Sequence, residues 1–409
     1  MKKILIALLT VFMMAGFVYA QEEEASIFNF SGMFNSRGTY LSNDSGIEEE
    51  AYDYMFYDME FDATLDITPN DKTAIFLNME IHDETWDDSP GYAASNADMN
   101  NEQNIVFKRA YGKYMFDNGI STEAGLMSGG AFGTAFADSG DGRYRWRVDG
   151  MAEFGKWGVI LEKTGEVGST GDDDNDREAD DSDNYYGYWV GKFGEITPMV
   201  LVGYLVAGET SGVNLEPEGA DSNTILLIGA VKGSAGAIGF EGEVVSQSTS
   251  IEVDGADPDS VSLFGAYGNV FMGMDAATVG GYVAYGSWDD DAGAGFNFGA
   301  DFYFGEGVGE SQAFGSGAAT WVASTLVGVY GDFAASDELS FSGNFSYFMS
   351  NEEDTIWEDA TGYELTGRGA YQLADNATWS VGIAWGQFDG DDADPDPYTR
   401  AFQKIQINF

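Results

Sequence analysis

Arg143, Arg145 and Arg147 occupy alternate positions in the stretch GRYRWRVDG. Successive side chains of a β-strand point to opposite faces. A strand here therefore sets three guanidinium groups in one row, which attracts anions and orients dipoles. The chain has 18 Lys and Arg against 69 Asp and Glu, so such a concentration of cations is informative. Arg109 and Lys113 share the polar parity of a segment two strands earlier. Arg37 lies near the start of the chain, and Arg400 and Lys404 near its end. These become neighbours only if a sheet closes on itself. Acidic counterparts hold the polar parity of other segments: Asp58, Glu60, Asp62 and Glu80, then Glu241, Glu243 and Glu364. Opposed rows of charge make a transverse field that sets ion preference. The plainer alternative is that these charges pair with one another and only solvate a wall.

Other chemistries have less support. His82 is the single histidine, on the parity of Glu80. Nucleophilic catalysis needs a base beside a nucleophile or an activated water. No second element fixes such a set, so no catalytic residue is assigned and no enzyme is expected. In GDDDNDREADDSDN, Asp172, Asp174 and Asp176 match the first ligand positions of a calcium-binding loop. Arg177 stands at the sixth position, where Gly is needed, and Asp183 at the twelfth in place of Glu. Diffuse divalent-cation binding fits this run better than a specific metal site, and no cofactor is implied. The absence of cysteine excludes disulfides, thiol chemistry and lipoprotein anchoring. A net charge of −51 excludes nucleic-acid phosphates as partners.

The elements that position these charges show a period of two from end to end. In YDYMFYDMEFDATLDI, Met55, Tyr57, Met59, Phe61, Ala63, Leu65 and Ile67 oppose Asp58, Glu60, Asp62, Thr64 and Asp66. In ELSFSGNFSY, Leu339, Phe341, Phe345 and Tyr347 oppose Ser340, Ser342, Asn344 and Ser346. This period is that of strands, not helices. Short turns, as at Asp117-Asn118-Gly119 and Asp375-Asn376, alternate with long acidic loops such as 87–103, 168–183 and 389–397. The pattern is that of a transmembrane antiparallel β-barrel, all-β, with short periplasmic turns and long acidic extracellular loops. Apolar faces look at lipid and polar faces into a lumen. A soluble sandwich fits less well. The chain is too long for one, lacks a linker, and begins and ends its apolar faces in aromatics, as interfacial girdles require.

Nineteen segments qualify as strands, and single-chain barrels have even numbers. GFNFGADFYF (295–304) is the segment to remove, with 289–317 read as one outer excursion. Eighteen strands follow; sixteen is the alternative, because the apolar run 196–206 has ambiguous phase. Residues 1–20 read as a cleaved signal peptide: Lys2 and Lys3, an apolar run, then Val18-Tyr19-Ala20. The barrel is expected over 21–409. The loop 128–141, SGGAFGTAFADSGD, is small and weakly charged. It is expected to fold inward and narrow the pore, with Asp138 and Asp141 facing the arginines.

Taken together, the leader, the dyad-patterned strands and the ending Ile405, Ile407, Phe409 resemble a Gram-negative outer-membrane porin. The region 106–146 is similar to that around the inward-folded third loop of trimeric porins. The resemblance implies passive diffusion of small hydrophilic solutes, a homotrimer, and lipid and lipopolysaccharide surroundings. It also implies a C-terminal signal at Phe409, Ile407 and Ile405, read by the barrel-assembly machinery. Two other readings compete with a diffusion channel. One is a channel selective for an anionic polysaccharide or organic acid; the other is a structural or adhesive barrel with a closed lumen. The large negative charge favours a weak cation preference.

Overall fold

The computed structural model describes residues 27–42, 54–85, 105–129, 132–137, 142–165, 182–207, 220–253, 259–298, 323–353, 358–390 and 397–409. Eighteen strands form one sheet. The first nine are β1 Phe28–Ser42, β2 Tyr54–Asn70, β3 Thr73–Thr85, β4 Val106–Met115, β5 Ser121–Ser128, β6 Gly142–Ala152, β7 Gly155–Gly165, β8 Ser182–Gly191 and β9 Ile196–Ala207. The rest are β10 Ala220–Ala235, β11 Ile238–Val253, β12 Asp259–Met274, β13 Ala277–Gly286, β14 Ser324–Ala334, β15 Leu339–Ser350, β16 Thr361–Ala374, β17 Ala377–Asp389 and β18 Tyr398–Asn408. Each strand pairs antiparallel with its sequence neighbours. The seam closes where β1 pairs β18 from Met33↔Asn408 to Ser42↔Thr399. The sheet is therefore a closed barrel with no free edge, which resolves the strand number at eighteen.

Links at one end are short, as at 71–72, 153–154, 236–237, 275–276 and 375–376. Links at the other end are mostly longer, reaching 287–323 between β13 and β14. Residues 295–298, the described part of segment 295–304, do not join the barrel sheet. Trp288–Asp289 pairs with Ala294–Gly295 in a small hairpin, and Phe296 and Phe298 beyond it are buried.

Outward parities carry the apolar exposure expected of a face in hydrocarbon. Val200, Val202 and Tyr204 of β9, Val327 and Val329 of β14, and Ile383 and Trp385 of β17 are all exposed. So broad an apolar band is incompatible with water. It is compatible with a bilayer, where a closed barrel satisfies every backbone donor internally. Phe409 lies on this outer face, its ring 5.6 Å from that of Phe30 and 5.7 Å from that of Phe61. It covers Gly32, where a Cβ would approach Phe409 Cζ to 2.5 Å. Ala63, opposite Gly32 in the ladder, is wholly buried.

Two irregularities interrupt the ladders near the charged wall. Between β2 and β3 the register shifts at Phe61/Asp62, and between β3 and β4 it shifts at Asn78/Met79. Each inserts a residue that opposes no partner and reverses parity beyond it. His82 thus sits opposite Phe61, not on the register that simple alternation from Glu80 gives.

Candidate functional site

The lumen face of β1 to β8 is a belt of ion pairs. Arg37 donates through Nε to Asp58 Oδ2 at 2.9 Å, and Asn35 donates to Glu60 Oε2 at 2.7 Å. Lys108 Nζ sits among three carboxylates: 2.6 Å from Glu80, 3.3 Å from Glu60 and 3.4 Å from Asp62. Lys113 lies 3.3 Å from Glu123, whose other oxygen binds Arg147. Arg147 Nε and Lys156 Nζ share Asp149 Oδ2, at 3.2 Å and 3.1 Å. The Tyr188 hydroxyl donates to the other oxygen of Asp149. Arg143 lies 3.3 Å from Glu162, and Arg145 donates to the same carboxylate. Strand pairing explains the alignment. Glu123 is opposite Arg147 between β5 and β6, and Arg145 is opposite Glu162 between β6 and β7.

These positions sort the residues expected from sequence. Arg37, Lys113, Arg143, Arg145, Arg147, Asp58, Glu60, Asp62 and Glu80 all meet partners on the lumen wall. Arg37 and Lys404 are opposite each other across the seam, as closure requires, while Arg400 lies higher, opposite Leu41 and Ala384. Arg109 pairs in register with Asn78 and is exposed. Asp138 and Asp141 lie outside the described residues, as do Asp172, Asp174 and Asp176. Alternation missed Lys108, because the bulge in β4 brings it to the lumen beside Arg109. It also missed Glu123 and Glu162, which become visible only once the strand register is known, whereas Asp149 shares the parity of the arginine row in the sequence.

The opposite wall is different. Leu201, Ile228, Val245, Ala284, Leu326 and Phe348, from β9, β10, β11, β13, β14 and β15, point inward and are buried. Inward faces here are in large part apolar, contrary to the simple rule, with a few polar side chains such as Glu243, Asn344 and Ser346 among them. Both parities of 196–206 are apolar because one faces lipid and the other faces a core inside the barrel. That core is completed by two inward-folded links. Phe136 is fully buried, with ring centroids 5.8 Å from Tyr267, 5.4 Å from Phe296 and 5.1 Å from Phe298.

The segment 132–136 runs inside the barrel between the two walls. Its root lies at β5 and β6. Phe132 packs edge-on to Tyr188 of β8, with ring centroids 5.8 Å apart. Thr134 then donates from its backbone N–H at 2.5 Å and its hydroxyl at 2.8 Å to Glu243 Oε2 on β11. The loop expected to fold inward does so over these residues. Beyond Phe136, the uncharged part of that wall is held by hydroxyls and amides. The Tyr282 hydroxyl lies 3.2 Å from Asn344 and 2.9 Å from Ser346.

A closed eighteen-strand barrel with an apolar exterior, a charged wall and an inward-folded loop defines a class: the outer-membrane β-barrel. Solved structures share this fold. OccK9 (OpdG) of Pseudomonas aeruginosa matches with a TM-score of 0.57 at 11% identity, covering 93% of this chain and 99% of that one. The outer membrane protein opdK of Pseudomonas aeruginosa gives 0.55 at 10% identity, covering 93% and 99%. The outer membrane channel DcaP of Acinetobacter baumannii gives 0.50 at 10% identity, covering 93% and 97%. No family profile matches the sequence, and no curated protein does. At these identities the shared property is the fold.

Proposed function

We propose that the protein is an outer-membrane channel for passive diffusion of small hydrophilic solutes and ions, through a bore narrowed by residues 132–136. The observation that carries this is the pinned segment between an apolar wall and a charged one. It reduces the open cross-section while leaving the hydrated β1–β8 wall free to line a route. Lumen charges tune selectivity in such barrels. Arg109, Lys113, Arg143 and Arg147 pull anions, while Glu60, Asp62, Glu80 and the acidic loops draw cations. The overall charge tips the balance to weak cation preference. The reading includes removal of residues 1–20 on export, insertion directed by Ile405, Ile407 and Phe409, and assembly as a homotrimer among lipopolysaccharide. Planar-bilayer recordings of the purified protein test it. Discrete conductance steps with a mildly cation-selective reversal potential are expected. A barrel that inserts without conducting would establish the closed, structural reading instead. Saturable block by one anionic solute would favour the substrate-selective channel.

A further inference from the structure

Arg145 occupies the middle of the arginine row, yet its surroundings differ from those of its neighbours. Its side chain is 12% exposed, whereas Arg143 and Arg147 are 31% and 32% exposed. All three of its nitrogens point at fixed acceptors. Nε donates to Glu162, Nη1 donates to the carbonyl of Ser128 at 2.8 Å, and Nη2 donates to the carbonyl of Gly129. Ser128 ends β5, and Gly129 is the first residue of the link that turns into the bore. Glu162 is itself buried, and takes further contacts from Asn184 at 2.8 Å and Arg143 at 3.3 Å.

We infer that Arg145 is a positioning residue rather than a selectivity charge. It clamps Gly129, at the root of the link that carries 132–136, to the β6–β7 wall, as Glu243 holds Thr134 to β11. The inference rests on the channel reading for its functional consequence, but the clamp itself does not. A planar guanidinium fork suits this task because it meets a carboxylate and two carbonyls at once. An ammonium carries the same charge but cannot reach all three acceptors in one plane. Its neighbours divide the work differently. Arg143 and Arg147 keep about a third of their surface toward the lumen and act on passing ions through their field.

The discriminating variant is therefore Arg145→Lys, which keeps the charge and removes the fork. Heat-modifiable mobility and far-UV circular dichroism first establish that the variant barrel is folded; Arg143→Lys is the matched control. In Arg145→Lys, amides of the inward segment 132–136 should exchange roughly tenfold faster, as expected when charge-assisted bonds to a loop root are lost. Single-channel conductance should rise roughly twofold while the reversal potential stays near that of the wild type, since bore size and not lumen charge has changed. Arg143→Gln should do the reverse, shifting the reversal potential toward cations at nearly unchanged conductance. If Arg145→Lys matches the wild type in exchange and conductance, while Arg145→Gln shifts only the reversal potential, the clamp is overturned. If the wild type never conducts, the channel reading fails, and the exchange experiment alone still decides the clamp. A variant that does not fold is replaced by Glu162→Gln. That change removes the carboxylate anchoring Arg145 Nε and must give the same faster exchange for the clamp to stand.

Discussion

The two halves of the bore solve one problem in opposite ways. On β1–β8, charged side chains are satisfied by one another in adjacent strands. On β9–β15, apolar side chains face inward and are covered by Phe136, Phe296 and Phe298 from two links. A lumen-facing apolar group exposed to water costs about 25 cal/mol per Å², so this wall demands a cover. A lumen-facing charge demands only a partner or solvent. The inward loop is thus positioned by hydrophobic burial on one side and by hydrogen-bonding geometry on the other. The difference gives the largest prediction. Phe136→Ala removes the central ring of the internal core, a change that costs about 3–5 kcal/mol in well-packed interiors. The barrel itself, held by ladders all around, should remain folded. The segment should detach, and single-channel conductance should increase several-fold or become noisy. An unchanged conductance would mean that the covered wall does not fix the loop.

A smaller perturbation probes the same core from the wall. Gly265 of β12 faces inward, and a Cβ there would meet the ring carbons of Phe296 and come within 2.8 Å of Phe136. Gly265→Ala should overpack the site at a cost of about 1–3 kcal/mol and raise conductance less than Phe136→Ala does. Gly367 is the control. A Cβ at this position meets nothing within 4 Å, and Gly367→Ala should change the unfolding midpoint only within about 0.5 kcal/mol. Equal effects of the two alanines would show that the inner core is looser than its ring contacts indicate.

The contrast between halves also explains what could be read from the sequence. Barrel class, strand number, closure and the inward fold of the loop were legible, because period-two patterning is imposed by hydrocarbon outside and repeated in every strand. Arg37, Lys113 and the Arg143/Arg145/Arg147 row were legible because few cations exist and alternation places them. Lys108 was not, since a bulge in β4 shifts parity by one residue and leaves no local signature. Asp149 was legible on the parity of that row, but the carboxylates Glu123 and Glu162 were not, because pairing depends on interstrand register, which alternation does not set. The inner core was not, because Leu201, Ile228 and Val245 look like lipid-facing residues of ambiguous phase. Only the fold of 132–136 and 296–298 gives them a partner.

On the charged half, the next test breaks a shared carboxylate. Glu123 bridges Lys113 and Arg147 and is 4% exposed at its side chain. Glu123→Gln leaves two cations facing the lumen without their common counter-charge. Buried ion pairs are costly to break from one side, so a lower thermal midpoint is expected. The functional signature is a reversal potential moved toward anion preference in a salt gradient, with conductance changed much less than in Phe136→Ala. A shift toward cations would sink the assignment of this belt as the field-setting wall.

The smallest effect belongs to Lys108, and it tests whether the belt acts as a sum of local fields. Three carboxylates surround this one ammonium, so Lys108→Gln uncovers negative charge and should move the reversal potential toward cations, opposite in sign to Glu123→Gln. The shift should be smaller for a physical reason. The Lys108 side chain is 40% exposed, and interactions of such partly solvated groups are screened and individually weak. Raising the salt from about 0.1 M to about 1 M shortens the screening length from about 10 Å to about 3 Å. Most of the Lys108→Gln shift should vanish over that range, while more of the Glu123→Gln shift should persist. If the two shifts fade together, burial does not separate these sites, and the belt is a uniformly solvated surface rather than a graded one.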